Sequence, residues 1–263
     1  MMKSGKKRVR RKSTYITVPN VFTALNIFCG FLAVVQIVNA NYVNAAWLIF
    51  LATVFDALDG RIARATGQSN EFGLQMDSLG DVISAGLAPA LLVHQIYLYR
   101  LHPPVGLILA FFPLLFAAFR LARYNVYTMQ QGKSSDYLGL PAPSAAVTIA
   151  GFVILHNELQ WEPMLSALVG IVPLISLLMA STIRYDGIPN FNLKEKGSNR
   201  VKLIVTLVGI LAFLITPRYV LFPFMALYII FGIVKAVVSI LRQEPDADIT
   251  IIAEERKDSY PTP

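Results

Sequence analysis

Apolar residues run through this chain in long stretches interrupted by short polar or Pro- and Gly-bearing breaks. Eight such runs are evident, at about 17–39, 43–65, 72–99, 103–129, 139–156, 161–181, 201–216 and 218–242. A hydrocarbon layer of roughly 30 Å takes about 20 apolar helical residues to cross, and the backbone there must satisfy its own hydrogen bonds. The pattern therefore predicts an all-α integral membrane protein. The fifth and seventh runs are the shortest, and a six-helix arrangement with re-entrant pieces is the alternative. The first run exceeds a signal-peptide core and carries Asn20 and Asn26, so it is read as a retained helix.

Composition agrees with this pattern. Of 263 residues, 55% are hydrophobic and 15% charged, and the mean hydropathy is +0.56, too apolar for a solvated globular surface. The net charge of +7 would suit nucleic acid, but the placement of the cations points to a membrane instead. With the basic N-terminus (Lys3 to Lys12) in the cytoplasm, eight crossings leave only Arg100 and Arg218 of the 23 Lys and Arg on the far side. Trp47, Tyr97, Tyr99 and Trp161 fall near outer span ends, as an aromatic belt would. A single cysteine, Cys29, excludes an intramolecular disulfide. Residues 243–263 read as a polar cytoplasmic tail.

Between residues 56 and 81 the chain reads DALDGRIARATGQSNEFGLQMDSLGD, which puts Asp56, Asp59, Asp77 and Asp81 at the ends of two otherwise apolar helices. A carboxylate costs about 2.5 to 3.5 kcal/mol at a helix centre on insertion scales, so uncompensated clusters are disfavoured. Asp56, Asp59, Gly60 and Ala63 share one helical face, and so do Gly73, Asp77 and Asp81. The short connection makes the two helices antiparallel neighbours whose acidic faces can meet. Four converging carboxylates call for divalent cations, and all-oxygen ligands suit Mg2+ or Mn2+. Two ions are expected, as in a clamp for phosphoryl transfer. Small residues at this spacing also serve ordinary membrane-helix packing, which stays open for Gly60, Ala63 and Gly73.

Asp56, Asp59, Gly60, Ala63, Arg64, Gly73, Asp77 and Asp81 occupy every fixed position of the pattern DxxDGxxAR, eight residues, GxxxDxxxD. In this the chain resembles the CDP-alcohol phosphotransferase family. The resemblance implies a six-helix membrane core, usually homodimeric, that replaces CMP on a CDP-linked substrate by an alcohol at a site open to the cytoplasm. It further implies two metals on Asp56, Asp59, Asp77 and Asp81, with Asp81 as general base. Nucleotide contacts would come from Asp56, Gly60, Ala63, Arg64, Gly73 and Asp77. The domain plan that follows is a basic segment 1–16, a six-helix core 17–181, a cytoplasmic loop 182–200, two additional spans within 201–242 and the tail.

Residues outside the signature bear on the acceptor. The opening VPNVFTALNIFCGF, DSLGDVISAGLAPA after the signature, RLARYN at Arg120 to Asn125 and GLPAP at Gly139 to Pro143 resemble the phosphatidylserine synthases of that family. Ala85 and Tyr124 depart mildly from that pattern. The implied substrates are CDP-diacylglycerol and L-serine, with no nucleic acid partner. Arg120 and Arg123 suit recognition of the serine carboxylate, because a planar guanidinium matches that group better than lysine does. Asn125, Asn26 and Ser84 are further acceptor-binding candidates. Glycerol 3-phosphate or inositol phosphate are the alternative acceptors, and an ion or proton transporter is the rival from another class. His94, His102 and His156 are read as structural.

Overall fold

The computed structural model describes residues 18–66, 71–131, 137–185, 209 and 211–241. The N-terminal segment 1–16, most of the loop 182–200, most of the seventh apolar run and the tail 243–263 lie outside the described residues. Helices α1 (Val18–Val38) and α2 (Tyr42–Thr66) form an antiparallel hairpin, closed by a turn in which Ala40 takes a φ of 58°. Next come α3 (Glu71–Asp81), a π-helical turn (Val82–Leu87), α4 (Ala88–Ile96), a 3-10 turn (Leu98–Arg100) and α5 (Pro103–Gln131). Then follow α6 (Ala142–Leu159), the short α7 (Pro163–Ser166), α8 (Leu168–Ala180) and α9 (Pro217–Leu241). Two-residue strands β1 (Tyr137–Leu138) and β2 (Arg184–Tyr185) pair antiparallel beside α9.

Among the described residues, six segments are long and apolar enough to cross a membrane: Val18–Val38, Tyr42–Thr66, Phe72–Ile96, Pro103–Thr128, Pro163–Ala180 and Pro217–Val238. The chain is thus an all-α, multi-pass membrane protein. The expected third span, 72–99, ends at Ile96, because the chain turns into the 3-10 segment. The fifth apolar run, α6, is not among the six. It is instead the most enclosed helix, buried at Ala145, Ala146, Ile149, Ala150, Phe152 and Val153 between α2 and α9.

Burial is arranged as in a lipid-facing bundle. The interior is rich in small residues such as Ala33, Ala45, Ala46, Ala85, Ala88 and Ala117, which let helix axes approach. The exterior carries large apolar side chains, among them Phe28 and Phe31 on α1, Leu107, Phe111 and Phe119 on α5, and Leu227 and Phe231 on α9. Such faces are stable against hydrocarbon and costly against water. Pro113, Pro173 and Pro223 sit inside α5, α8 and α9, positions that neighbouring helices make tolerable in a membrane bundle.

Two glycines set how closely the acidic end can pack. A Cβ on Gly30 would lie 3.0 Å from both Cα and Cβ of Ser84, so α1 meets the π turn with no side chain of its own at the contact. A Cβ on Gly80 would lie 3.0 Å from Ile27 and 3.4 Å from Asn26 Nδ2, so α1 also lies directly on α3.

Candidate active site

Helices α2 and α3 carry their carboxylates to one end of the bundle. Asp56 and Asp59 are on the last turns of α2, while Asp77 lies near the end of α3. One carboxylate oxygen from each of the three lies within 4.8 Å of the others. Asp59 is buried, and Asp56 and Asp77 are half-buried. Asp81, one helical turn beyond Asp77, is 5% exposed and stands next to this trio, within electrostatic reach of Asp56 and Asp77.

α1 brings the partners that hold these acids. Its buried face reads Asn20, Thr23, Asn26, Gly30, Ala33 and Ile37, polar at the acidic end and apolar beyond it. The Thr23 hydroxyl donates to Asp59 Oδ2 at 2.8 Å, and Asn26 Nδ2 donates to Asp81 Oδ1 at 3.2 Å. Asn26 is fully buried. A third brace comes from α5, where Asn125 Nδ2 donates to Ser78 Oγ at 2.9 Å and to Gln75 Oε1 at 3.5 Å. The Ser78 hydroxyl in turn donates to the Leu74 carbonyl at 3.1 Å. Together these contacts aim α3 from both sides.

The other expected site residues separate into those at the cluster and those turned to packing. Gly60 has the Arg64 guanidinium over it, 3.5 Å from where a Cβ would be, so the ridge beside the acids stays low. Ala63 and Gly73 are half-buried, and Arg64 is exposed at the same end. Arg120 is 6% exposed and acts electrostatically on both Asp56 and Asp81. Arg123 spans to the end of α8, donating to the carbonyls of Ala180 at 3.0 Å, Ser181 at 3.3 Å and Met179 at 3.4 Å. Cations at a helix C-terminus satisfy carbonyls that have no intrahelical partner. Ser84 is buried in the π turn against Gly30. His156 lies at the opposite end of the bundle, on the last turns of α6.

Thr23, Ser78 and Gln75 were not singled out as site residues from the sequence. The readable signal for Thr23 was the three-residue spacing of Asn20, Thr23 and Asn26 within an otherwise apolar helix, which makes one polar stripe.

The donor set fits hard divalent cations. It is made of carboxylate oxygens alone, they converge from two helices, and Asp77 Oδ1 is buried without a hydrogen-bond partner. Three carboxylates at this separation repel strongly in a poorly solvated environment, so a counter-charge belongs among them.

The model of the CDP-alcohol phosphatidyltransferase family matches residues 16–180, more than half of the chain and all of the residues just described except Ser181. The chain belongs to that family. Relatives agree over still longer stretches. A Helicobacter pylori (strain J99) protein named CDP-diacylglycerol–serine O-phosphatidyltransferase is 36% identical over 219 residues, 82% of this chain and 90% of the relative. A Methanocaldococcus jannaschii protein of the same name is 34% identical over 220 residues, 84% and 94% of the two chains. An archaetidylserine synthase of Methanothermobacter thermautotrophicus is 34% identical over 180 residues, 67% and 72%. The matched stretch includes the acidic end of this bundle.

Proposed function

We propose that this chain transfers the phosphatidyl group of CDP-diacylglycerol to the hydroxyl of L-serine, giving phosphatidylserine and CMP. The observation that carries this reading is the convergence of Asp56, Asp59 and Asp77, with Asp81 held beside them by Asn26, in a chain whose relatives are named for serine transfer. Asp56, Asp59, Asp77 and Asp81 would hold two divalent cations, Mg2+ or Mn2+, which supply charge neutralisation for a diphosphate.

The protein's own groups divide the remaining work. Asp81 is the base: it takes the serine hydroxyl proton as the serine oxygen forms its bond to the lipid-side phosphorus and the bond to the CMP oxygen breaks, leaving that oxygen with the electron pair. Asn26 fixes the Asp81 carboxylate so that its second oxygen faces the acceptor. The low ridge of Gly60, Ala63 and Gly73 admits the nucleotide, and Arg64 meets its phosphates. Arg120 takes the serine carboxylate, since Arg123 spends its donors on the end of α8. Asn125 and Ser84 border the acceptor side, Asn125 through its brace on α3. We further propose that the protein works in the cytoplasmic membrane as a homodimer, with the acidic end facing the cytoplasm. In support, Arg61, Arg64, Arg120 and Arg123 gather at that end, whereas Arg100 and Arg218 lie at the other.

The deciding experiment measures CMP release from CDP-diacylglycerol by the purified protein with Mg2+ or Mn2+, comparing L-serine, glycerol 3-phosphate and inositol phosphate. Serine-dependent CMP release with phosphatidylserine formed is expected. Release with another acceptor alone would move the specificity within the family, and no release with any acceptor would overturn the assignment of activity.

A further inference from the structure

Helix α3, which carries two of the four aspartates, buries little of itself. Of its described residues only Gly80 and Asp81 are buried, whereas Phe72 and Leu79 are 46% and 66% exposed and Gln75 is exposed as well. Where α3 lies on α1 the residue is Gly80, which has no side chain to interlock. Little apolar surface therefore opposes rotation of α3 about its own axis, and that task falls to hydrogen bonds.

Those bonds come from two directions. Asn26 on α1 donates to Asp81. From α5, Asn125 Nδ2 donates to Ser78 Oγ at 2.9 Å, and the Ser78 hydroxyl has the Leu74 carbonyl at 3.1 Å and Asn125 Oδ1 at 3.2 Å as acceptors. Residues 78 and 80 point about 200° apart on a helix, so the Ser78 contact restrains the side of α3 opposite the one that rests on α1. Asn125 is 9% exposed and stands two residues beyond Arg123, whose bonds to three carbonyls at the end of α8 fix this stretch of α5. The clamp thus refers α3 to a fixed part of the bundle.

For a metal centre this restraint has a measurable size. Side-chain atoms lie about 5 to 6 Å from a helix axis, so a rotation of only about 5° moves them by roughly 0.5 Å. Mg2+ takes oxygens at about 2.0 to 2.1 Å in near-ideal octahedral geometry, whereas Ca2+ takes them at about 2.3 to 2.6 Å in flexible arrangements. A looseness of that size spans the difference between the two ions. Asp77 and Asp81 move with α3, while Asp56 and Asp59 stay on α2.

Resting on the reading that the four aspartates hold divalent cations, we propose that Ser78 is a positioning residue for ion selectivity. Its hydroxyl, clamped by Asn125, locks the rotation of α3 and so sets the spacing of Asp77 and Asp81 from Asp56 and Asp59 for a small ion. Ser78 itself ligates nothing. Without the clamp the site keeps every carboxylate but accepts a larger ion.

Mn2+ binding to the detergent-purified full chain is read without substrates from the electron paramagnetic resonance signal of the free ion, with Mg2+ and Ca2+ compared as competitors. Wild type, Ser78→Ala, Ser78→Thr, Asn125→Ala and the double variant of Ser78→Ala with Asn125→Ala are measured, with thermal unfolding alongside. Groups behind metal ligands typically change affinity about 10- to 100-fold, so Ser78→Ala should lower the preference for Mg2+ over Ca2+ by about tenfold, mainly through weaker Mg2+ binding. Ser78→Thr keeps the hydroxyl and should retain the wild-type preference. Because Ser78 and Asn125 act as one clamp, the double variant should lose no more than either single one. Equal weakening of both ions in Ser78→Ala would mark a purely structural effect and overturn the proposal. So would an unchanged preference, a wild type with no preference for Mg2+, a threonine variant that loses it, or additive losses in the double variant. These outcomes leave the cation reading standing, whereas a wild type that binds no Mn2+ would overturn both. Ser78 is half-buried and loses a single atom in Ser78→Ala, so the variant is expected to fold, and Asn125→Ala gives the same comparison independently.

Discussion

Replacing Asn26 by leucine removes the side-chain donor that Asp81 has among the described residues, while nearly preserving shape in a fully buried position. The bond is 3.2 Å long and joins a neutral amide to a carboxylate. Hydrogen bonds to charged groups contribute about 1.5 to 3 kcal/mol, and the length favours the lower part of that range. If the bond holds Asp81 in the orientation from which it accepts the serine proton, its loss raises the activation barrier by that amount, a fall in kcat of about 10- to 150-fold. Steady-state CMP release over a serine titration separates this from acceptor binding. A positioning role lowers kcat and leaves the KM for serine nearly unchanged, whereas direct contact with the acceptor raises KM. Thermal unfolding of the purified variant tests whether the fold survives. A normal kcat with a tenfold higher KM would refute the positioning argument, and unchanged values of both would show that Asp81 does not depend on this bond.

Thr23→Val removes the 2.8 Å bond to Asp59 without changing volume, and partners behind a metal ligand typically matter 10- to 100-fold in metal affinity. The Mn2+ concentration for half-maximal CMP release should rise by about tenfold or more, with activity recovered at high Mn2+. Arg123→Ala leaves the α8 carbonyls without their donor and should lower stability by about 1 to 3 kcal/mol in chemical unfolding, with the serine KM of the folded fraction unchanged. A raised KM with unaltered stability would reassign Arg123 to the acceptor. Tyr185 is 3% exposed with an unpartnered hydroxyl, and burial pushes its phenol up to about 12. Tyr185→Phe therefore removes only an unsatisfied polar atom, and stability should be equal or higher by about 1 kcal/mol. A clear loss would mean that the hydroxyl has a partner.

The acids were legible because their information is local. Spacings of three and four residues along two adjacent helices place Asp56, Asp59 and Asp77 on facing surfaces, and an apolar background makes each carboxylate conspicuous. What surrounds them was less legible. Thr23 reaches Asp59 across 36 positions, Asn125 reaches Ser78 across 47, and Asn26 reaches Asp81 across 55. Those pairings depend on how α1 and α5 lie against α2 and α3, which periodicity within one helix does not encode. Arg120 and Arg123 looked equivalent as neighbours in RLARYN. Three residues rotate a helix by about 300°, and that difference sends Arg123 to α8 while Arg120 stays by the acids. The enclosure of α6 was hidden for a similar reason, since a helix apolar on all sides reads alike whether it faces lipid or protein.

The π turn at Val82–Leu87 stands between Asp81 and the helix that anchors it. A turn of this kind holds one more residue than an α-helical turn, so each of its residues advances the helix by roughly 80°, against about 100° in an α-helix. The segment therefore acts as an angular spacer: α4 is keyed to the core through Leu92 and Val93, and the spacer sets the direction in which the acids upstream of it point. If all six residues wound as plain α-helix instead, Asp77 and Asp81 would turn together by roughly 100° relative to α4. Every side chain of the site would still be present and the bundle would still bury its core. The site would be out of phase, so the looser winding at this point matters more to the site than the identity of Val82 or Ile83.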